Sequence, residues 1–305
     1  MFPEELKATL KNVHAFAVTP FKRDDVFRLD LDGLRRNLDF LVENGLQVIN
    51  IGGGTGEVDS LADAELEALA QAALDVVGDR ALVMPTLPGS FGSAMALAPR
   101  YAKMGAQVVL AMAPFTRNQV PQDLGGVFEY YRALAEVSSV PFLSYNTQAW
   151  PPEFFVRLAE IDRIIGIKDP CRVPHNLFNA IKLLGHRFVW IGNKRHDPGV
   201  LQYRYQAGID GFTAGNVNFA PEFELALHRA ARQQDWPRMV EIQEKLAPLE
   251  RLRLAHGDAV IKTGLDLVGL AGGPVRPPRV DLNHRQREAV KTELLKLGLE
   301  IRARC

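Results

Sequence analysis

Eight short apolar runs, each followed by a stretch with helical spacing, limit this chain to very few folds. The runs fall at residues 14–18, 48–51, 81–84, 107–112, 140–145, 164–168, 188–191 and 211–214. The clearest helical stretch puts Leu66, Leu69, Ala70, Ala73, Leu74 and Val77 on one face, and Gly78 ends it. Others are expected at about 31–44, 91–104, 124–137, 153–159, 177–184, 200–206 and 221–232. Strands that alternate with helices pair in parallel, and eight such units predict a closed (β/α)8 TIM barrel, an α/β fold, over an open sheet. Beyond this barrel of residues 1–232, helical stretches at about 237–254 and 258–268 and a final one through Val290, Leu294 and Leu297 are expected. They predict a C-terminal helical extension, residues 233–305, packed on the barrel. The GGPVRPP segment at 272–278 is expected as a fixed bend, because an amphipathic stretch follows it.

The 305 residues, 47% of them apolar, suit one barrel with a small appendage. Lys and Arg number 36 and so do Asp and Glu, which leaves no basic field for nucleic acid and no polybasic patch for a membrane. The opening MFPEELKATLKN lacks an apolar core of signal-peptide length, and no later apolar run is long enough to span a bilayer. Cys171 and Cys305 make no disulfide framework. A cytoplasmic protein with a small-molecule partner is the expectation.

A barrel of this kind carries its chemistry at the carboxyl ends of the strands. Ile164, Ile165 and Ile167 form an apolar run that ends in Lys168, followed by Asp169 and Pro170. Lysine is among the residues least often buried. Either this one snorkels to water, or it is a nucleophile whose amine, kept neutral by burial, attacks a carbonyl carbon to form a Schiff base. The second run leads into Gly52-Gly53-Gly54-Thr55-Gly56-Glu57. No Gly-Lys-Ser/Thr follows, and Glu57 stands where a dinucleotide fingerprint needs its third glycine, so no nucleotide cofactor is expected. The loop is either a tight turn or a cradle of backbone N–H groups and one hydroxyl for a carboxylate. Tyr145 ends the run before that of Lys168, where it either packs or moves a proton. Histidines 14, 175, 186, 196, 228, 256 and 284 show no pair at i, i+2 or i, i+4, so no metal site is expected. His196 reads as part of a solvated loop.

The VTPF at 18–21, GGTGE at 53–57, YN at 145–146 and GIKD at 166–169 resemble the dihydrodipicolinate synthase and N-acetylneuraminate lyase superfamily, barrel enzymes that form Schiff bases. The resemblance runs from about residue 14 to about 297. The glycine-rich loop, NFAPEF at 218–223 and GGPVRPP look most like 5-dehydro-4-deoxyglucarate dehydratase. The resemblance implies that Lys168 forms the imine with a 2-oxo acid and Tyr145 shuttles protons, while Gly54 and Thr55 hold the carboxylate. It also implies a homo-oligomer, a dimer or tetramer, and no cofactor. Synthases of the lysine pathway carry a second Thr at the position of Gly54, a relay Tyr where this chain has Thr116, and an Arg after Tyr-Asn where it reads TQAW. A dehydratase therefore leads, with an aldolase or synthase as the alternative and a non-catalytic binding relative behind both. Further substrate contacts are expected from Thr116, Asn193 and Thr213. A second substrate carboxylate would need a cation from Arg117, Arg195 or Lys194, with the arginines favoured for their bidentate grip.

Overall fold

The computed structural model describes residues 3–117, 123–170, 172–194 and 199–302. Eight strands run in sequence order around a closed parallel barrel: β1 (Val13–Phe16), β2 (Val48–Ile51), β3 (Leu82–Leu87), β4 (Val109–Ala111), β5 (Phe142–Tyr145), β6 (Ile164–Lys168), β7 (Val189–Asn193) and β8 (Gly211–Ala214). Closure is direct, with His14 opposite Thr213. The strands read as continuous apolar runs because both faces are covered. Phe16, Val48, Met84, Leu110, Leu143 and Ile191 belong to the cluster that fills the barrel. Ile49, Val83, Phe142, Ile167, Trp190 and Phe212 belong to the larger cluster shared with the helices.

The outer helices are α2 (Leu31–Glu43), α3 (Asp63–Val77), α4 (Phe91–Lys103), α5 (Leu124–Val137), α6 (Pro152–Leu158), α7 (Pro174–Leu184), α8 (Leu201–Ala207) and α9 (Pro221–Arg232). Side chains satisfy several of their first N–H groups. Asp30 accepts from Gly33 N at 3.2 Å, and Asp123 accepts from Gly125 N at 2.7 Å. At the head of α3, Glu65 reaches back to Ala62 N at 3.0 Å.

One helix has no counterpart among the expected elements. α1 (Pro3–Leu10) precedes the first strand, and its Leu6 and Leu10 join the cluster inside the barrel. With eight residues it is too short to announce itself by periodicity, and its stability comes from tertiary burial. The carbonyl of Leu10 accepts from His14 Nε2 at 2.8 Å, tying the plug to the strand it covers.

The chain continues as α10 (Trp236–His256), α11 (Ala259–Leu267) and α12 (His284–Lys296). Leu249, Ile261, Leu265, Val290 and Leu294 pack with Val18 and Phe219, while Met239, Ile242 and Leu246 join the barrel–helix core. The segment expected as a fixed bend is held on all sides. Arg276 donates to the carbonyls of Val26, Phe27 and Ser60 at 2.8–3.0 Å and to both oxygens of Glu65 at 2.6 and 2.8 Å. Its backbone N donates to Glu57 Oε2 at 3.0 Å, and Lys262 pairs with Glu57 Oε1 at 2.5 Å. Glu57, with a left-handed φ of 61°, thus ends the glycine loop as a buried pin to the C-terminal region. Among the described residues, no helix is long and apolar enough to cross a membrane.

Candidate active site

Lys168 and Tyr145 face each other because β6 carries one extra residue. Phe142 is opposite Ile164 but Leu143 is opposite Gly166, and this shift brings Tyr145 level with Lys168. A Cβ at Gly166 would lie 2.9 Å from a Leu143 side-chain carbon and 3.0 Å from the Val189 carbonyl oxygen, so the irregularity requires a glycine. Lys168 is only 5% exposed. Its Nζ lies 3.8 Å from the centre of the Tyr145 ring and 4.3 Å from that of Phe16, a sleeve of aromatic carbon in place of water. The loops beyond the two strands are also tied, since Asn146 Nδ2 donates to Asp169 Oδ2 at 2.7 Å. Trp150 of TQAW turns away into an aromatic cluster with Tyr131, Phe154 and Phe155.

Each glycine of the loop after β2 has a different setting. Gly52 has φ 64°, and a Cβ at Gly53 would meet Asn50 Oδ1 at 2.1 Å, so both serve the turn itself. Gly54 is open, with nothing within 4 Å of where its Cβ would stand. Thr55 is 5% exposed.

Lys168, Tyr145, Gly54, Thr55, Asn193 and Thr213 line a single cavity of about 130 Å³. Asn193 and Thr213 are register partners on β7 and β8. The space is well below the ~300–1,000 Å³ of sites for drug-sized ligands and suits the head of a small acid. A wider groove of about 560 Å³ shares Gly54 and Met112 with it and runs past His256, Asp258 and Arg279.

Three expected contacts are not brought into this cavity. β4 stops at Ala111, and Met112 takes the wall position on that side, while Thr116 and Arg117 are exposed and outside the wall. Lys194 is buried and bridges Glu224 at 2.6 Å and Glu250 at 2.8 Å. Desolvation works against its charge, but the two carboxylates outweigh it and raise its pKa, so Lys194 is committed to them and not to a substrate. Arg195 and His196 lie outside the described residues, as do Cys171 and Cys305.

The sequence reading missed Arg253. It reaches the cavity wall from α10, donates to Thr55 Oγ1 at 2.7 Å, and is anchored by Nε and Nη2 to Asp258 Oδ1 at 3.1 and 2.8 Å. A signal was present, because Leu246, Leu249, Glu250 and Arg253 share one helical face and all four are buried. Two charges on an apolar stripe ask for partners.

Known proteins resemble this chain over nearly its whole length. Residues 9–297 match the model of the dihydrodipicolinate synthetase family. A 4-hydroxy-tetrahydrodipicolinate synthase of Acidothermus cellulolyticus is 31% identical over 304 residues, covering 92% of this chain and 90% of the relative. A probable 5-dehydro-4-deoxyglucarate dehydratase of Rhizobium meliloti is 28% identical over 302 residues, covering 95% and 97%. Among solved structures, dihydrodipicolinate synthase from Oceanobacillus iheyensis superposes with a TM-score of 0.89 at 25% identity, covering 97% of this chain and 99% of that one.

Proposed function

We propose that this chain, which belongs to the dihydrodipicolinate synthetase family and is an enzyme of its lyase class, forms an imine between Lys168 and a 2-oxo acid and uses it to dehydrate an acidic sugar of the 5-dehydro-4-deoxyglucarate type. The observation that carries the reading is the setting of Lys168: a lysine 5% exposed, sleeved by the Tyr145 and Phe16 rings, in a small cavity with Thr55 and the open backbone of Gly54. The amine adds to the carbonyl carbon, and the carbonyl oxygen takes up protons, one delivered through Tyr145, and leaves as water. The iminium then draws electrons from the adjacent carbon, which loses a proton to give an enamine. The enamine expels the β-hydroxyl, which takes up a proton and leaves as a second water, and hydrolysis of the imine restores Lys168. Gly54 favours the long acid over pyruvate alone, since the open position joins the cavity to the wider groove.

Incubation with a panel of 2-oxo acids, reduction with borohydride and mass analysis tests the reading. An adduct at Lys168 is expected, together with loss of water from a 4-deoxy-5-oxo-hexarate. A full absence of adducts would overturn the enzyme reading in favour of a binding relative. An adduct with pyruvate followed only by condensation with an aldehyde would move the assignment to the aldolase or synthase, the activity in the name of the Acidothermus relative.

A further inference from the structure

We infer that Arg253 is the anion anchor of this site, receiving the carboxylate beside the reacting carbonyl on its Nη1 and, through Nη2, turning the Thr55 hydroxyl onto the same carboxylate. The inference rests on the imine reading of Lys168 and adds the group that selects an acid over a neutral ketone.

Donor and acceptor accounting leads to it. A guanidinium only donates, so in the 2.7 Å contact between Arg253 Nη2 and Thr55 Oγ1 the threonine oxygen is the acceptor. The single hydrogen of that hydroxyl must point elsewhere, and among the described residues it has no acceptor. Thr55 lines the cavity, so the cavity is where an acceptor would sit. Nε and Nη2 are taken by Asp258, which fixes the plane of the group. Nη1 makes no hydrogen bond among the described residues and lies against Gly215, where a Cβ would come within 2.0 Å of it. Gly215 is itself part of the cavity wall, so the absent side chain leaves Nη1 room at that wall.

The alternative is that Arg253 serves only to join α10 to the barrel. Arg253 is 4% exposed, and a buried guanidinium with unused N–H groups beside a cavity is costly unless a ligand oxygen completes it. The neighbouring buried carboxylates do not complete it: Glu224 and Glu250 hold Lys194 through Oε1 at 2.6 and 2.8 Å, and among the described residues Arg253 donates only to Asp258 and Thr55. A substrate carboxylate would take one bond from Nη1 and one from Thr55, and its charge would offset the iminium formed on Lys168.

The test compares borohydride trapping of pyruvate with that of hydroxyacetone, which replaces the carboxylate by a neutral CH₂OH group. The parent should trap pyruvate at Lys168 much faster than hydroxyacetone. Arg253→Gln should lower that preference at least tenfold, by slowing pyruvate while leaving hydroxyacetone within about twofold. A merely structural arginine would slow both compounds alike, and an unmoved ratio overturns the inference. Should Arg253→Gln fail to fold, Arg253→Lys decides: it keeps a charge beside Asp258 but cannot span to both Thr55 and the cavity, so a preference retained by this variant also overturns the inference. A parent that traps both compounds equally does the same. A parent that traps neither sinks the imine reading itself, and this inference with it.

Discussion

Lys168 stands on the wall of the cavity, so its replacement enlarges a space that already exists and separates chemistry from folding. Lys168→Ala should abolish borohydride trapping and lower turnover by several orders of magnitude, with an unchanged urea midpoint; an adduct at another lysine would reassign the nucleophile. Tyr145→Phe keeps the ring that covers the amine, 3.8 Å from it, and removes only the hydroxyl. Imine formation should slow by ~10² to 10⁴, the usual worth of a positioned proton donor, with pyruvate still bound; a change of only a few fold would make Tyr145 a packing residue. Both residues were legible because strand ends follow from the alternation of elements. Arg253 was not, since it approaches Thr55 from 198 positions along the chain, and its place on the apolar stripe of α10 calls for a partner without naming one.

At the scale of elements, eight strands were legible from short apolar runs alternating with helical stretches, and α1 was hidden by its brevity. The amphipathic stretch after GGPVRPP marked it as a fixed bend, but what fixes that bend is the Arg276 network, whose partners lie more than 200 positions away. Sequence spacing cannot show such contacts. Arg276→Ala would leave Glu65 without its bidentate partner and remove the donors to three carbonyls. Burial of the Arg276 guanidinium is incomplete, at 10% side-chain exposure against 23% for Glu65, so the cost should fall below that of a fully buried pair, about 2–3 kcal/mol. Urea unfolding reads this directly. Because the same bend donates its backbone N to Glu57 at the end of the glycine loop, the variant should also raise KM for a 2-oxo acid, whereas a surface change such as Arg35→Ala should alter neither.

For the whole molecule, two buried histidines set an acid limit on stability. His14 on β1 sits at 1% exposure beside the α1 plug, and desolvation, only partly offset by its bond to the Leu10 carbonyl and reinforced by the charge of Lys168, pushes its pKa down from 6.5 to about 4. His228 on α9 is pushed down to about 4 by burial and by Arg232, while its Nδ1 accepts from the Tyr205 hydroxyl at 2.7 Å. In both cases the folded state binds a proton less readily than the unfolded chain. Stability is therefore fully present above pH 6.5 and declines as pH falls from there toward 4, by about 2 kcal/mol per histidine between pH 7 and pH 5. Glu224 works the other way, since burial raises its pKa and folding then takes up a proton as pH falls, so the slope of the parent alone does not isolate the histidines. A difference between variants does. His228→Gln keeps a group that can accept from Tyr205 but cannot titrate, and its loss of stability between pH 7 and pH 5 should be about 2 kcal/mol smaller than that of the parent. Equal losses in the two proteins would show that His228 does not stay neutral in the folded state, whatever its cost at neutral pH.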